Sequence, residues 1–277
     1  MTAMSTLRVA PVIRLRPRAS LLLAATSAIG VVAFAWPLFA RPSGSENYAH
    51  GIDAPWFFIA LLPLLLAIVL SEVAEGGLDA KAVALLGMLA ACGALLRLPS
   101  SAAGFEPVFF LLIPAGRVLG RGFGFVLGAL TLLASAILTG GVGPWLPFQM
   151  FGAAWLGFGA GCLPRASGRR ELWLLAAYAV VASFAYGLIL NLWFWPFGSS
   201  AGSTITYLPG GSVTGNLQRF WAFHLITSLG FDVVRATTNA VFVLAVGRPV
   251  ISALRRAARR AAFGAPVTFR PDPPAMP

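Results

Sequence analysis

Three ionisable side chains stand in an otherwise apolar stretch near the C-terminal end of the chain: His224, Asp232 and Arg235. An ionisable group in a membrane-type segment is costly to bury and points to function by default. Asp232 and Arg235 are three residues apart, so on one helix they face each other and can neutralise one another. Such a pair serves as a structural counter-ion, or as a gate or partner contact. His224 lies near the outer end of the same stretch, where a neutral, hydrogen-bonded imidazole is the ordinary state. Only if the three converged in a pocket open to lipid would they suit a polytopic enzyme acting on lipid.

Most other chemistry is missing. The sole lysine, Lys81, sits in Asp79-Ala80-Lys81-Ala82 with no Gly-rich phosphate loop, so the chain does not hydrolyse ATP in the P-loop manner. There is no HExxH, and no two carboxylates pair within a span, so neither a metalloprotease nor a carboxylate dyad has its catalytic set. Cys92 and Cys162 lie in apolar runs, outside any CxxC or Cys/His cluster, and read as small hydrophobes. No metal and no cofactor are expected. A proton-coupled carrier would want several embedded carboxylates, and here there is one, close to an arginine.

Groups suited to binding cluster in two outer stretches. The first, Gly140-Gly141-Val142-Gly143-Pro144-Trp145-Leu146-Pro147-Phe148-Gln149-Met150, puts an aromatic ring, an amide and open backbone in one turn. The second is the uncharged stretch from Pro196 to Gln218, which has the length of a lid and contains Tyr207. Asn191, Trp193, Trp195, Asn216, Gln218 and Trp221 lie nearby. Tryptophans at such positions anchor helices at the membrane boundary, or else wall a concave pocket for a neutral heteroaromatic ligand.

These residues must be positioned by membrane helices. Of 277 residues, 58% are apolar and 10% charged, against about 25% charged in soluble domains. Uncharged runs of 22 (Ala19 to Ala40), 18 (Ala54 to Ser71) and 43 residues (Gly122 to Pro164) can each bridge a hydrocarbon core about 30 Å thick. The two-residue alternation of a lipid-facing barrel is absent. The first run is too long for a signal core of about 7–15 residues and reads as a retained anchor. The expectation is an all-α polytopic bundle of about eight transmembrane helices, over 19–39, 55–72, 80–96, 107–119, 122–139, 148–164, 172–195 and 220–247. The fourth is short enough to be tilted or partly buried.

With the N-terminus inside, 16 of the 20 basic residues fall on inside segments, so both termini are expected in the cytoplasm. The formal charge of +11 is a topology signal and not a nucleic-acid footprint. Arg255, Arg256, Arg259 and Arg260 recur four apart, an ordinary inside flank or a stripe able to lie on anionic headgroups. The segments are a basic N-terminus (1–18), two N-terminal helices (19–79), a helical core (80–250) and a basic, Pro-rich tail (251–277). Gly116, Gly120, Gly124 and Gly128 recur at intervals of four, as do Gly157 and Gly161, a spacing that lets helix backbones approach closely in lipid. A second small face runs through Ala80, Ala84, Gly87, Ala91 and Ala94, able to pack internally or to offer a smooth seam to another membrane subunit.

The segment Ala84-Leu85-Leu86-Gly87-Met88-Leu89-Ala90-Ala91-Cys92-Gly93-Ala94-Leu95-Leu96-Arg97, then Ala115-Gly116-Arg117-Val118-Leu119-Gly120, then the GGVGPWLPFQM turn resembles the substrate-specific S components of energy-coupling-factor (ECF) vitamin transporters. The Gly-Pro-Trp-x-Pro-x-Gln-Met form looks most like members linked to cobalamin or other large heterocyclic nutrients. The likeness spans roughly 80–250 and is strongest near 140–150. It implies a six-helix core beginning at Ala80, with the first two spans an addition. It further implies a bacterial plasma-membrane subunit, itself no enzyme, that captures a vitamin-like molecule at the outer face. A transmembrane coupling subunit and two cytosolic ATPases would energise delivery. Ala80, Ala84, Gly87 and Ala91 then map to the coupling-subunit contact. Trp145 and Gln149 map to ligand binding by motif, and Asn191 and Trp221 by position and chemistry. A lipid enzyme and a ligand-free membrane scaffold are the alternatives.

Overall fold

The computed structural model describes Val12 and residues 17–39, 80–99, 104–143, 145–198 and 203–261. Among these residues there are eight helices and no strand: α1 (Pro17–Phe39), α2 (Ala80–Arg97), α3 (Val108–Leu119), α4 (Arg121–Thr139), α5 (Leu146–Cys162), α6 (Gly168–Gly198), α7 (Val213–Thr227) and α8 (Leu229–Ala261). The span expected at 55–72 lies outside the described residues. Four helices, α2, α4, α6 and α8, are long and apolar enough to cross a membrane.

The short helix is the centre of the bundle. Twelve residues rise about 18 Å, too little to cross a hydrocarbon core. Of α3, only Phe110 and Arg117 are not fully buried, because α4, α5 and α8 surround it. Pro114 is tolerated inside it, in keeping with a helix enclosed by neighbours that can satisfy freed backbone groups.

Glycine sets the tightest contact. Built on Gly116 or Gly124, a Cβ would collide with the carbonyl of Gly157, and on Gly128 with the carbonyl of Ala153. A side chain on Gly157 would strike Gly124 in return. The α3, α4 and α5 backbones therefore touch directly, which apolar side chains in lipid cannot replace with a hydrophobic drive. Gly120 departs from the expected packing stripe. It forms the turn between α3 and α4 at φ 100°, a conformation that favours glycine, so the interval of four crosses a helix break.

The single span expected over 220–247 is two helices. The break is at Ser228 (φ −125°, ψ −21°), where Thr227 Oγ1 donates back to the Phe223 carbonyl and Gly230 follows. Hydroxyl back-bonding and glycine both weaken a helix here. Ser212 starts α7 by accepting the Gly215 amide at 3.1 Å. His224 therefore sits on a different helix from Asp232 and Arg235. At the far end α8 stays helical to Ala261, past the boundary expected at 250, so the basic stripe lies on α8 itself.

Two ends of the bundle differ in charge. One collects the starts of α2, α4 and α6 with the ends of α3, α5 and α8: Lys81 Nζ donates to the Ala261 carbonyl at 3.0 Å, and the Val12 amide to Leu119 at 3.0 Å. The other collects the end of α2, the starts of α3, α5 and α8, and α7. Cys92 and Cys162, read as small hydrophobes in apolar runs, face outward. On a bundle in lipid an outward apolar position is still out of water.

The glycine contact gives a direct test. Gly124→Ala is expected to destabilise the protein by about 1–3 kcal/mol through overpacking against backbone, whereas Gly87→Ala, with nothing within 4 Å of its Cβ, should not. Unfolding of the purified protein in detergent measures both.

Candidate functional site

Glu106 lies just before α3, outside any helix, yet it is buried. Its Oε2 accepts from Arg235 Nε at 2.7 Å, and its Oε1 faces Arg97 Nε at 3.5 Å. Arg235 also donates to Asp232 Oδ1 at 2.5 Å, so one guanidinium on α8 serves two carboxylates. The Tyr186 ring lies 5.4 Å from the Arg235 guanidinium carbon, covering it with an aromatic face. Asn239, one turn further along α8, donates to the Glu106 and Arg235 carbonyls and accepts the Phe110 amide, which fixes the loop before α3.

The chain of polar contacts continues in both directions. Arg97 Nη2, at the end of α2, donates to Gln149 Oε1 at 2.9 Å in the first turn of α5. Asp232, 1% exposed, directs Oδ2 toward His224 Nε2 at 3.6 Å. Asn191 donates its amide to His224 Nδ1 at 2.9 Å, which leaves the imidazole proton on Nε2, the nitrogen nearest Asp232. The same amide donates to Ser228 Oγ at the α7/α8 break. Thus Gln149, Arg97, Glu106, Arg235, Asp232, His224 and Asn191 form one sequence of contacts across five helices and a loop. Two arginines balance two carboxylates, so with a neutral imidazole the sequence carries no net charge.

An aromatic cap lies at the same end. Trp195, Tyr207, Phe220 and Phe223 form a small core separate from the main one. Trp195 Nε1 donates to the Ile205 carbonyl at 2.8 Å; Asn216 both donates to and accepts from Leu208; Arg219 donates to the Thr204 carbonyl at 2.9 Å. Of the stretch read as a long lid, residues 196–198 close α6 and residues 213–218 open α7, while the non-helical segment 203–212 is pinned to those two helices by these bonds.

The four residues expected to bind ligand fall in two pairs. Trp145 is 44% exposed and folds onto its own turn, Nε1 donating to Gly141 at 3.1 Å and the ring filling the space beside Gly143. Gln149 lies one turn on and faces Arg97. Asn191 and Trp221 form the other pair, both against His224, with the Trp221 ring centroid 6.1 Å from the imidazole. Among the described residues the ion sequence from Arg97 to His224 connects the pairs.

On α2, Ala80, Ala84, Gly87 and Ala91 are exposed, while Ala82, Leu86, Leu89, Ala90 and Gly93 are buried. Ala94 turns inward with the buried face and leaves the stripe. At the opposite end of the bundle Glu171 accepts from Arg117 at 3.0 Å and from Arg255 at 2.7 and 2.9 Å; Arg117 also donates to the Leu163 and Ala166 carbonyls.

Sequence reading found the Asp232/Arg235 pair and missed Glu106, Arg97, Asn239 and Glu171. In the sequence Glu106 and Arg97 merely bound the apolar runs at 107–119 and 80–96. The available signal was a lone carboxylate and a lone arginine at the same end of two neighbouring apolar spans. His224, Asp232 and Arg235 do come together, but as a counter-ion set. Among the described residues no group of three or more His, Cys, Asp or Glu side chains could hold a metal ion.

The network ranks its members. Arg235→Ala leaves buried Asp232 without a cation and Glu106 with only the long Arg97 contact, and is expected to cost about 3–5 kcal/mol. Arg97→Ala removes a long ion pair at a side chain 18% exposed and should cost under about 2 kcal/mol. Reversible unfolding in detergent measures both, and equal losses would remove Arg235 from the centre of the network.

Comparison with known proteins agrees with the resemblance noted above at the level of the family, not of a cobalamin-like branch. The sequence profile described as "ECF transporter, substrate-specific component" matches residues 81–247, which runs from the start of α2 into α8. No curated protein and no solved structure matches the chain. Members of this family are subunits of micronutrient uptake systems that work with a coupling subunit and ATPases, and they are not enzymes, which sets aside the lipid-enzyme reading. The chain, whose matched segment covers more than half its length, belongs to the family of ECF transporter substrate-specific components.

Proposed function

We propose that this S component captures a vitamin-like nutrient at the end of the bundle formed by α7, the start of α5 and the end of α6. Gln149 and Asn191 supply amides there, and Trp145 and Trp221 supply aromatic surface. The two amides already hold Arg97 and His224, so a ligand that takes either amide must change its partner in the ion sequence. Occupancy at the mouth is thereby felt by α2 through Arg97 and by α7 and α8 through His224. The balanced charge around these amides favours a neutral, heterocyclic ligand, and the Gly-Pro-Trp turn favours a cobalamin-like one.

The observation that carries the coupling half is the exposed stripe of Ala80, Ala84, Gly87 and Ala91 on α2. Four small residues at helical spacing leave a smooth surface on which another membrane helix can pack closely. The occupant proposed is the transmembrane coupling subunit, with two cytosolic ATPases supplying the energy that a chain without a P-loop cannot. Both termini are placed in the cytoplasm, and the protein in a bacterial plasma membrane. A ligand-free scaffold is the second reading. It is favoured only by the way Trp145 fills its own turn.

Ala84→Trp and Ala91→Trp separate the readings. Each is expected to abolish nutrient uptake in cells and to lower recovery of the coupling subunit at least tenfold, while the purified S component still binds labelled cobalamin. Gln149→Ala and Asn191→Ala should do the reverse, retaining the complex and losing binding. Unchanged uptake in all four variants would defeat the assignment of these surfaces.

A further inference from the structure

Among the described residues all three carboxylates, Glu106, Glu171 and Asp232, are buried. Glu171, the one at the basic end, accepts from Arg117 on Oε1 and from Arg255 on both oxygens. The exposed arginines of that end, among them Arg169, Arg170, Arg248, Arg256, Arg259 and Arg260, have no carboxylate of the described residues beside them. A concentration of exposed cations that no carboxylate of the described residues balances can take an external anion.

Depth along the bundle identifies which anion. Helices α6 and α8 run antiparallel, with Gly187 against Asp232 at one end and Leu172 against Gly247 at the other. That register sets Arg169 and Arg170 at the level of Arg248. One turn toward the middle of the bundle lies Trp173, 65% exposed, followed by exposed Val180 and Val181. On α8 the residues beyond Arg248 in the same direction are exposed Val246, Leu244 and Val241. Arg248 is about 24 Å along the helix from Asp232, a distance within a hydrocarbon core of about 30 Å. Charge, then tryptophan, then aliphatic side chains is the profile of headgroup, interface and hydrocarbon. The salt-bridged Glu171 holds α6 and α8 together at this level, and Lys81 at the Ala261 carbonyl fixes the end of α8.

We propose that Arg169, Arg170 and Arg248 form a binding site for anionic phospholipid headgroups, with Trp173 at its hydrocarbon edge. The proposal is independent of the nutrient site, because none of these residues is in the Gln149-to-Asn191 sequence.

The experiment places the full chain in nanodiscs of mixed phosphatidylglycerol and phosphatidylcholine and counts retained lipids by native mass spectrometry. The expected result is preferential retention of phosphatidylglycerol, falling about fivefold for each arginine replaced by alanine. The Arg169→Lys, Arg170→Lys, Arg248→Lys triple variant should retain most of the preference. If the triple alanine variant does not fold, Arg248→Ala alone carries the test. Absence of a preference in the unmodified protein, or its survival in Arg248→Ala and the triple alanine variant, overturns the proposal. So does loss of the preference on adding millimolar inorganic phosphate, which would make this a free-anion site.

Discussion

Arg235 is the side chain on which the functional end of this protein depends. One guanidinium on α8 pairs with both Glu106 from the loop before α3 and Asp232 from its own helix, with the Tyr186 ring beside it. Taking these three charges out of water is unfavourable unless each finds partners, and removing one partner leaves the others exposed to the cost of burial. That constraint joins elements the hydrophobic core could not hold in register. Apolar packing between helices in lipid carries little directional information, whereas an arginine with two carboxylate partners fixes the loop, α6 and α8 relative to one another. Asn239 extends the same control to the backbone, since the Glu106 carbonyl and the Phe110 amide both bind its amide.

The other half of the architecture is held by closeness. Glycines on α3, α4 and α5 bring three backbones into direct contact, and α3, too short to span, is enclosed by the helices around it. The polar sequence runs over the top of this rigid part, and the aromatic cap of Trp195, Tyr207, Phe220 and Phe223 stands beside it with a core of its own. The glycine-packed trio and the cap are thus held by separate sets of contacts. The open face of α2 runs from the neighbourhood of Arg97 toward the opposite end, so one helix carries both an ion-sequence member and the proposed coupling surface.

How much of this could be read from the sequence follows the range of each interaction. The apolar runs located α1 to α6 to within a few residues of their observed ends, because length and lack of charge are local properties. The pairing of Asp232 with Arg235 was legible from a spacing of three. Its third member was not: Glu106 is 129 residues away, and nothing local distinguishes a carboxylate that folds inward from one at a loop boundary. Asn239 was lost in an apolar run although it is wholly buried and fully bonded. The division of the last span at Ser228 left only Thr227, Ser228 and Gly230 as signals, weak ones in a membrane-type sequence. Gly120 fitted the packing interval by number and serves the turn instead, since periodicity carries no record of φ.

The central assignment, a capture subunit that works against a separate membrane partner, is tested most directly by purifying the tagged protein from its native membrane in mild detergent and identifying what accompanies it by mass spectrometry. Co-purification of one membrane coupling subunit with P-loop ATPases is the expected result. Recovery of the folded protein alone, at reproducible yield, would contradict it and leave the family relationship as a statement of ancestry.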